Sequence, residues 1–375
     1  MRNNLAVVFI FSLMACGSSV EQIPYGNEVL SKLEIKEFEG RPKNIILLIG
    51  DGTGLNQITL SRMAISGANS RLYIDQLPYS GISLTHSTDN IITDSAAAAT
   101  AWATGTKTKN KFISVTPNEK VLSSLTEVLF TKGFLSGVVA TSSVTHATPA
   151  AFYAHVNNRY KEKEIASQLQ SSNINIAFGG GLNFFDLNTN NEQIKYIYEL
   201  DELNNINTSS SKRIIGLFDN DGIRRASFRP SQELMTKKAL DILSKRTAEC
   251  SGFFLMTEGS QIDWAAHDNN ANEMITEFRD FDLTIKDLIN FVTQNKETLL
   301  IITADHETGG LQILKQNDDS VIVQWGTGSH TSTPVGVYTY GPAAELFNGI
   351  MDNTDIHQKM LEAIDYKNLD NKTCG

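Results

Sequence analysis

The stretch Asn44-Ile-Ile-Leu-Leu-Ile-Gly-Asp51 decides the class of fold. Its uninterrupted apolar run, Ile45–Ile49, is typical of a strand that is buried on both faces. Similar runs recur along the chain and alternate with stretches of helical pattern. This alternation predicts an α/β fold in three layers, a mostly parallel central sheet with helices on both faces. The first predicted strand is 44–49, and the others are 134–140, 174–178, 213–218, 253–256, 299–303 and 335–340.

Helices are predicted between these strands, and two regions depart from the alternation of strands and helices. Residues 183–212 are rich in Asn, Ser and Thr and are expected to leave the core. Residues 311–333 are expected to add strands or a loop, because Asp318-Asp319 and Gly326–Gly328 are turn signals. The predicted helices are 53–66, 95–104, 122–132, 160–171, 191–203, 231–247, 270–293 and 354–364.

The first residues have the pattern of an export signal. Arg2 precedes the apolar run Leu5–Phe11, and Cys16 follows shortly afterwards. This pattern predicts a lipoprotein signal peptide over residues 1–15, with Cys16 as the lipidated first residue of the exported protein. The alternative is an ordinary secretion signal that happens to contain Cys16.

Length and composition bound the class of protein. The chain has 375 residues, 41% of them hydrophobic and 20% charged, and a net charge of −10. It is long enough for one large domain, predicted over 43–375 after a tether and N-terminal arm at 16–42. No basic stripe is visible, so a nucleic-acid-binding role is not expected. Cys250 and Cys374 either pair in an oxidising compartment or leave Cys250 as a buried thiol, and both possibilities stay open.

Acidic residues follow three of the predicted strands. Asp51 ends the first strand, Glu258 follows the run that begins at Phe253, and Asp305-His306 follow Leu299–Ala304. Ligands of open parallel sheets bind beyond the carboxyl ends of the strands, so these acids are expected to converge. Each acid alone could be a helix cap or an ion-pair partner, but three of them together favour a metal site.

Histidines strengthen this interpretation. Asp263 and His267 stand four residues apart, on one face if the segment is helical, and His330 lies in a glycine-rich loop. Mixed imidazole and carboxylate ligands suit zinc, and oxygen-rich sites suit magnesium. The remaining histidines lack ligand-like spacing and are interpreted as structural: His86, His155 and His357.

The segment Thr93–Gly105 places a serine at the predicted start of a helix. Asp94 or Thr93 can cap this helix, its alanines propagate it, and Gly105 can end it. The N-terminal N–H groups and the positive end of the helix dipole then face Ser95. This setting suits a hydroxyl that attacks phosphorus. An alanine-rich packing helix with a polar cap is the alternative.

Between Lys43 and Pro342 the chain resembles the alkaline phosphatases. The resemblance implies that Ser95 is the nucleophile, that Arg159 binds phosphate and that Asp94 orients Arg159. It also implies two Zn²⁺ and one Mg²⁺ per chain, with His146 and Trp264 near the third metal. The matching segments are Ile49–Gly52, Thr93–Ala101, Thr145–Phe152, His155–Arg159, Met256–His267, Thr303–Gly310 and Gly328–Thr331. The implied ligands are Asp263, His267 and His330 for one zinc, Asp51, Asp305 and His306 for the other, and Asp51, Thr148 and Glu258 for magnesium.

The implied activity is hydrolysis of small phosphomonoesters at alkaline pH through a phosphoserine, with release of inorganic phosphate. The short stretch between His306 and His330 predicts an open site, and a homodimer is the family expectation. The leader predicts export to the periplasm or cell envelope, with a lipid anchor in the outer membrane. Two alternatives stay open: a phosphodiesterase on the same scaffold, and a non-enzymatic lipoprotein that binds metal or phosphate.

Overall fold

The computed structural model describes residues 20–187, 192–209 and 212–374. The predicted signal peptide over 1–15 and the lipid attachment at Cys16 lie outside the described residues. Within the described ranges, no helix is both long and apolar enough to cross a bilayer.

The strands form one large sheet and two small ones. The strand bounds are β1 Val20–Pro24, β2 Asn44–Gly50, β3 Tyr79–Leu84, β4 Phe134–Ser143, β5 Ile176–Gly180, β6 Ile194–Ile197, β7 Arg213–Leu217, β8 Gly252–Gly259, β9 Thr298–Thr303, β10 Glu307–Thr308, β11 Gln312–Gln316, β12 Ser320–Gln324, β13 His330–Thr331, β14 Val335–Tyr340 and β15 Gly349–Asp352. In the large sheet the strand order is β15-β3-β14-β9-β2-β8-β4-β5-β7-β6. A three-stranded sheet has the order β1-β12-β11, and β10 pairs with β13.

Every strand predicted from the sequence lies in the large sheet. Among its described strands only β14 runs antiparallel, pairing with β3 on one side and β9 on the other. The expected α/β fold with a mostly parallel central sheet is therefore confirmed. The N-terminal strand β1 pairs with β12, and the expected extra strands within 311–333 are present as β11, β12 and β13.

Helices cover both faces of the large sheet. Along β2, Ile46 and Leu48 face one core with the helices over 55–66, 232–246 and 271–295. Ile45 and Ile49 face a second core with the helices over 95–104, 125–130, 162–171 and 353–363. This alternation along one strand creates the three layers. The helix bounds are α1 Leu55–Ser66, α2 Ser95–Thr104, α3 Leu125–Phe130, α4 Ala147–Ala150, α5 Glu162–Ser171, α6 Leu200–Asn204, α7 Gln232–Arg246, α8 Gln261–His267, α9 Ala271–Asn295 and α10 Asn353–Ala363, with 3₁₀ turns at Ile74–Gln76, Leu182–Phe184, Ala344–Phe347 and Tyr366–Asn368.

The structure corrects one expectation for the region 183–212 and limits another. The predicted helix over 191–203 is replaced by strand β6 and the short helix α6. Within the described residues, part of the region stays with the core, since Ile194 and Ile197 are buried and β6 pairs with β7 at the end of the sheet, whereas residues such as Glu192 and Asp201 are exposed. Ile194 and Ile197 are three residues apart, and this spacing is also compatible with a helix. The segment is a strand because it pairs with the edge of β7.

The C-terminal segment is tied back to the domain. Cys250 and Cys374 form a disulfide, with their Cα atoms 5.5 Å apart. The bond links the loop before β8 to the end of the described chain, and it decides the pairing that the sequence leaves open.

Candidate active site

The acid-bearing ends of three strands lie side by side. Strands β9, β2 and β8 are neighbours, and Asp51, Asp305 and Glu258 stand at or just beyond their carboxyl ends. All three carboxylates are fully buried. The expected convergence of acids at this edge of the sheet is therefore present.

Helix α2 points its N-terminus at these acids. Asp94 caps the helix, because its Oδ1 accepts a hydrogen bond from the Ala97 amide at 3.0 Å. Ser95 is the first helical residue, and its Oγ lies 3.4 Å from His306 Nε2. Gly105 ends the helix in the left-handed conformation with φ 67°. The serine thus combines a helix N-terminus with the acid cluster.

Site 1 consists of Asp263, His267 and His330, whose candidate ligand atoms lie within 4.8 Å of one another. Helix α8 brings His267 Nε2 to 3.3 Å from Asp263 Oδ2, and β13 brings His330 Nε2 to 3.1 Å from His267 Nε2. The hydrogen bond to Asp263 raises the pKa of His267 to about 9. Burial and the neighbouring His306 lower the pKa of His330 to about 4. Backbone carbonyls hold the opposite ring nitrogens of both histidines, since Gly328 contacts His267 and Thr93 contacts His330.

Site 2 consists of Asp51, Asp305 and His306, again within 4.8 Å. His306 Nε2 lies 2.9 Å from Asp305 Oδ2 and 3.7 Å from Asp51 Oδ1. Burial opposes ionisation of Asp305, but the adjacent His306 and the Gly52 amide outweigh it and lower the pKa of this carboxyl. The rings of His306 and His330 stack with centroids 3.4 Å apart, so sites 1 and 2 are contiguous.

Site 3 consists of Asp51, His146 and Glu258 and shares Asp51 with site 2. The Thr148 hydroxyl lies beside Glu258. Trp264 meets His146 edge to face, with 6.2 Å between the ring centroids. The residues expected around a third metal are therefore neighbours, and His146 is close enough to Asp51 and Glu258 to share an ion with them.

The buried oxygens of sites 2 and 3 fit divalent cations. Both carboxylate oxygens of Asp51 and of Glu258, together with Asp305 Oδ2 and Thr148 Oγ1, are buried without a hydrogen-bond partner among the described residues. Burial, reinforced by Asp305, raises the pKa of Glu258 to about 8 and that of Asp51 above its usual range. Unpaired buried carboxylates are costly, and a bound cation removes that cost. The donor chemistry also fits, with imidazoles in sites 1 and 2 and mostly oxygens in site 3.

Arg159 lies next to this cluster, in contact with His146 of site 3. Its Nη1 donates to Asp94 Oδ2 at 3.2 Å, and its Nη2 lies 3.0 Å from His146 Nε2. Burial and the charge of Arg159 lower the pKa of His146 to about 3, so this imidazole is neutral beside the guanidinium. Ser95 and Arg159 line one cleft of about 570 Å³. The arrangement places the buried Ser95 hydroxyl, the Arg159 guanidinium and candidate metal ligands around one cleft.

Sequence reasoning missed a residue that connects these sites. Thr308 donates its hydroxyl to Asp263 Oδ1 at 2.5 Å and lies 3.2 Å from His306 Nδ1. Glu307 next to it accepts hydrogen bonds from Gln57 and Thr331. The sequence does contain a signal for Thr308, which lies two residues after His306 in the matching segment Thr303–Gly310. Alternate residues of an extended segment share a face, so Thr308 is expected on the same side as His306.

The structural interpretation of the other histidines is confirmed for two of them. His155 contacts the Ser114 carbonyl and Glu127, each at 3.0 Å, and His357 contacts the Trp102 carbonyl. His86 is exposed and belongs to none of sites 1–3.

Known proteins match this chain over most of its length. The family profile described as Alkaline phosphatase matches residues 42–318. Alkaline phosphatase 4 of Bacillus subtilis (strain 168) is 32% identical, and the alignment covers 85% of this chain and 88% of that protein.

Solved structures agree with the sequence comparison. The structure of alkaline phosphatase from the Antarctic bacterium TAB5 has a TM-score of 0.77 and 34% identity, covering 88% of this chain and 99% of that one. A variant of the TAB5 enzyme with Mg bound in the M3 site matches with a TM-score of 0.77 and 33% identity, also covering 88% and 99% of the two chains. Profile, relatives and fold therefore agree, and this chain belongs to the alkaline phosphatase family of metal-dependent phosphomonoesterases.

Proposed function

We propose that this chain hydrolyses small phosphomonoesters at alkaline pH through a phosphoserine on Ser95 and releases inorganic phosphate. The observation that carries the proposal is the position of Ser95. Its hydroxyl stands at the N-terminus of α2, 3.4 Å from His306 Nε2, in the same cleft as Arg159. A nucleophile needs this combination of an activating cluster and an anion-binding group.

The proposal includes two zinc ions and one magnesium ion per chain. Sites 1 and 2 would each hold zinc, and Asp51, Glu258 and Thr148 would hold magnesium, with His146 and Trp264 beside it. Bound ions of this kind neutralise charge on the phosphoryl group and polarise the attacking and leaving oxygens. Their contribution is required, because a helix dipole supplies only about 1 kcal/mol. Enzymatic hydrolysis of a phosphomonoester requires the activation free energy to be lowered by about 20 kcal/mol or more.

The residues of this chain position the phosphoryl group. Arg159 presents N–H groups in one plane, which suits two phosphoryl oxygens, and Asp94 holds the guanidinium in place. Asp94 also caps α2, so one carboxylate aligns the arginine with the serine. The N-terminal end of α2 favours a negative charge close to Ser95.

The reaction then proceeds in two displacements at phosphorus. Ser95 Oγ loses its proton and bonds to phosphorus while the ester P–O bond breaks, and the alcohol leaves with a proton. Water next attacks phosphorus, the P–Oγ bond breaks, Ser95 regains a proton, and inorganic phosphate leaves. Arg159 retains its contacts with the phosphoryl oxygens in both steps.

The test combines metal analysis with paired substrates. We expect purified protein to contain zinc and magnesium in a ratio of two to one. Chelation should abolish hydrolysis of p-nitrophenyl phosphate, and zinc plus magnesium should restore it. The bis(p-nitrophenyl) ester should be the poorer substrate by kcat/KM. A preference for the diester would support the phosphodiesterase alternative, and no turnover of either ester by metal-loaded protein would support the binding lipoprotein.

We also propose that the enzyme is exported and lipid-anchored through Cys16, in the cell envelope and at the outer membrane. The proposed chain has a signal peptide over 1–15, an N-terminal arm over 16–42 and a catalytic domain over 43–375, and it forms a homodimer. The Cys250–Cys374 disulfide supports an oxidising compartment. Metabolic labelling with a radioactive fatty acid tests the anchor, since Cys16→Ser should abolish the label and release the protein from membranes.

A further inference from the structure

Four lysines lie in the loop 105–124 after helix α2, and their surroundings differ: Lys107, Lys109, Lys111 and Lys120. Lys107 Nζ lies 3.2 Å from Asp352 Oδ2, and Lys109 Nζ lies 5.7 Å from the centroid of the Phe112 ring. The ammonium group of Lys111 has neither a hydrogen bond nor an ion pair within the described part of the chain. Of the four lysines, Lys111 is the one that lines the cleft of Ser95 and Arg159.

The backbone of Lys111 is attached to the phosphate-binding residues. Its amide donates to Asp94 Oδ2 at 2.9 Å, and its carbonyl accepts from the Arg159 amide at 2.8 Å. The neighbouring Asn110 accepts a hydrogen bond from the Asp94 amide through Oδ1 at 3.2 Å. The Cα of Lys111 thus keeps a fixed position relative to Ser95 and Arg159, and only its long side chain is free.

The conformation of Lys111 is unfavourable for a residue with a side chain. Its φ is 72°, in the left-handed region where glycine fits without strain. A non-glycine residue costs about 1 kcal/mol there. Such a local cost at the edge of a candidate active site points to a function of the side chain.

Lys111 lies where the alcohol part of a substrate would emerge. It is exposed and lines the same cleft as Ser95, Arg159 and Tyr160. The phosphoryl group belongs between Ser95 and Arg159, so the rest of the ester extends towards the mouth of the cleft. The chain as a whole is acidic, with a net charge of −10, and this charge repels an anionic substrate. A cation at the cleft offsets the repulsion locally.

We propose that Lys111 selects phosphomonoesters whose alcohol part carries a second anionic group, a carboxylate or another phosphate. The proposal rests on the phosphomonoesterase function and names its substrate class. The ammonium group would bind the second anion while Arg159 binds the phosphoryl group being transferred. A neutral alcohol part would gain nothing from Lys111.

The experiment compares esters that differ by one anionic group. Metal-loaded enzyme is assayed with 4-carboxyphenyl phosphate, 1,4-phenylene bisphosphate and the neutral reference 4-carbamoylphenyl phosphate. We expect the wild type to have the higher kcat/KM for the anionic esters and Lys111→Met to reduce this preference by roughly fivefold, the size of one ion pair. Lys111→Glu should reverse it, and high ionic strength should weaken it in the wild type. A larger effect on one anionic ester identifies which group Lys111 binds.

Lys109→Met is the matched control, because it removes the same charge from the same loop. Its preference should equal that of the wild type. An unchanged preference in Lys111→Met and Lys111→Glu, or an equal loss in Lys109→Met, overturns the assignment to Lys111. If the wild type hydrolyses none of the three esters, the phosphomonoesterase proposal fails and the selectivity proposal fails with it.

Discussion

Thr308 and Asp263 are joined by a hydrogen bond of 2.5 Å from the threonine hydroxyl to Oδ1. The same hydroxyl oxygen lies 3.2 Å from His306 Nδ1. Because the hydroxyl proton goes to the Asp263 carboxylate, the Thr308 oxygen is placed to accept from Nδ1–H of His306, which would direct the Nε2 lone pair of His306 to a cation bound in site 2. One side chain thus orients a candidate ligand in site 1 and another in site 2.

Thr308→Val should therefore weaken metal binding. Outer hydrogen bonds of this kind contribute about 10- to 100-fold in metal affinity or activity. Competition between the purified protein and a chromophoric zinc chelator measures the affinity directly. Thr308→Ser keeps the hydroxyl and should retain wild-type affinity. Equal affinities in the valine and serine variants would show that the hydroxyl does not orient the ligands.

Ser95→Ala should abolish turnover while leaving the metal sites intact. Removal of a nucleophile costs on the order of 10⁴-fold or more in kcat/KM. The ligands of sites 1 and 3 do not involve the hydroxyl, so zinc and magnesium contents should stay near those of the wild type. Metal analysis and assays with p-nitrophenyl phosphate are made on one preparation. Normal turnover in this variant would exclude Ser95 as the nucleophile.

Arg159→Lys should reduce kcat/KM by on the order of 10²-fold, because an ammonium group cannot reproduce two parallel hydrogen bonds. Inhibition by inorganic phosphate should weaken in parallel. Asp94→Asn should have a smaller effect, since asparagine still caps α2 but no longer forms an ion pair with Arg159. Steady-state kinetics with phosphate as inhibitor measure both. A larger loss in Asp94→Asn than in Arg159→Lys would contradict this order of roles.

His155 should make stability depend on pH. Burial lowers the pKa of His155, but hydrogen bonds to Glu127 and the Ser114 carbonyl outweigh it, and the net shift is upward. A raised histidine pKa gives stability that is fully present below the unfolded pKa of about 6.5 and is lost as pH rises through the folded pKa. His155→Gln should thus lower the melting temperature more at about pH 6 than at about pH 9. Equal losses at both pH values would contradict the linkage.

The disulfide should contribute to stability by restricting the conformations of the unfolded chain. It closes a loop with a sequence separation of 124 residues, and a disulfide of this kind contributes about 2–5 kcal/mol. The double variant Cys250→Ser/Cys374→Ser should unfold at lower denaturant concentration than the wild type. Reductant should destabilise the wild type and leave the double variant unaffected. A wild type that is insensitive to reductant would show that the bond adds nothing.

The sequence predicts an element accurately when all the signals for that element lie within its own segment. Helix α2 has the predicted bounds Ser95–Thr104, and β14 has the predicted bounds Val335–Tyr340. Their caps, propensities and apolar runs lie within the segment itself. The region around β6 was predicted wrongly because pairing with β7, and not a local preference, decides its conformation. Strand β3 was not predicted because it lies between β14 and β15, which are distant in sequence.

The amino-acid sequence by itself determined the α/β class, the strand ends that bear acids and the family to which the chain belongs. These depend on periodicity and on motif residues close together along the chain. Only the tertiary structure decided the disulfide, the bridge from Thr308 to Asp263 and the position of Lys111 in the same cleft as Arg159. Such contacts join residues that are distant in sequence, and their geometry depends on how the strands are ordered and how the loops pack across the edge of the sheet.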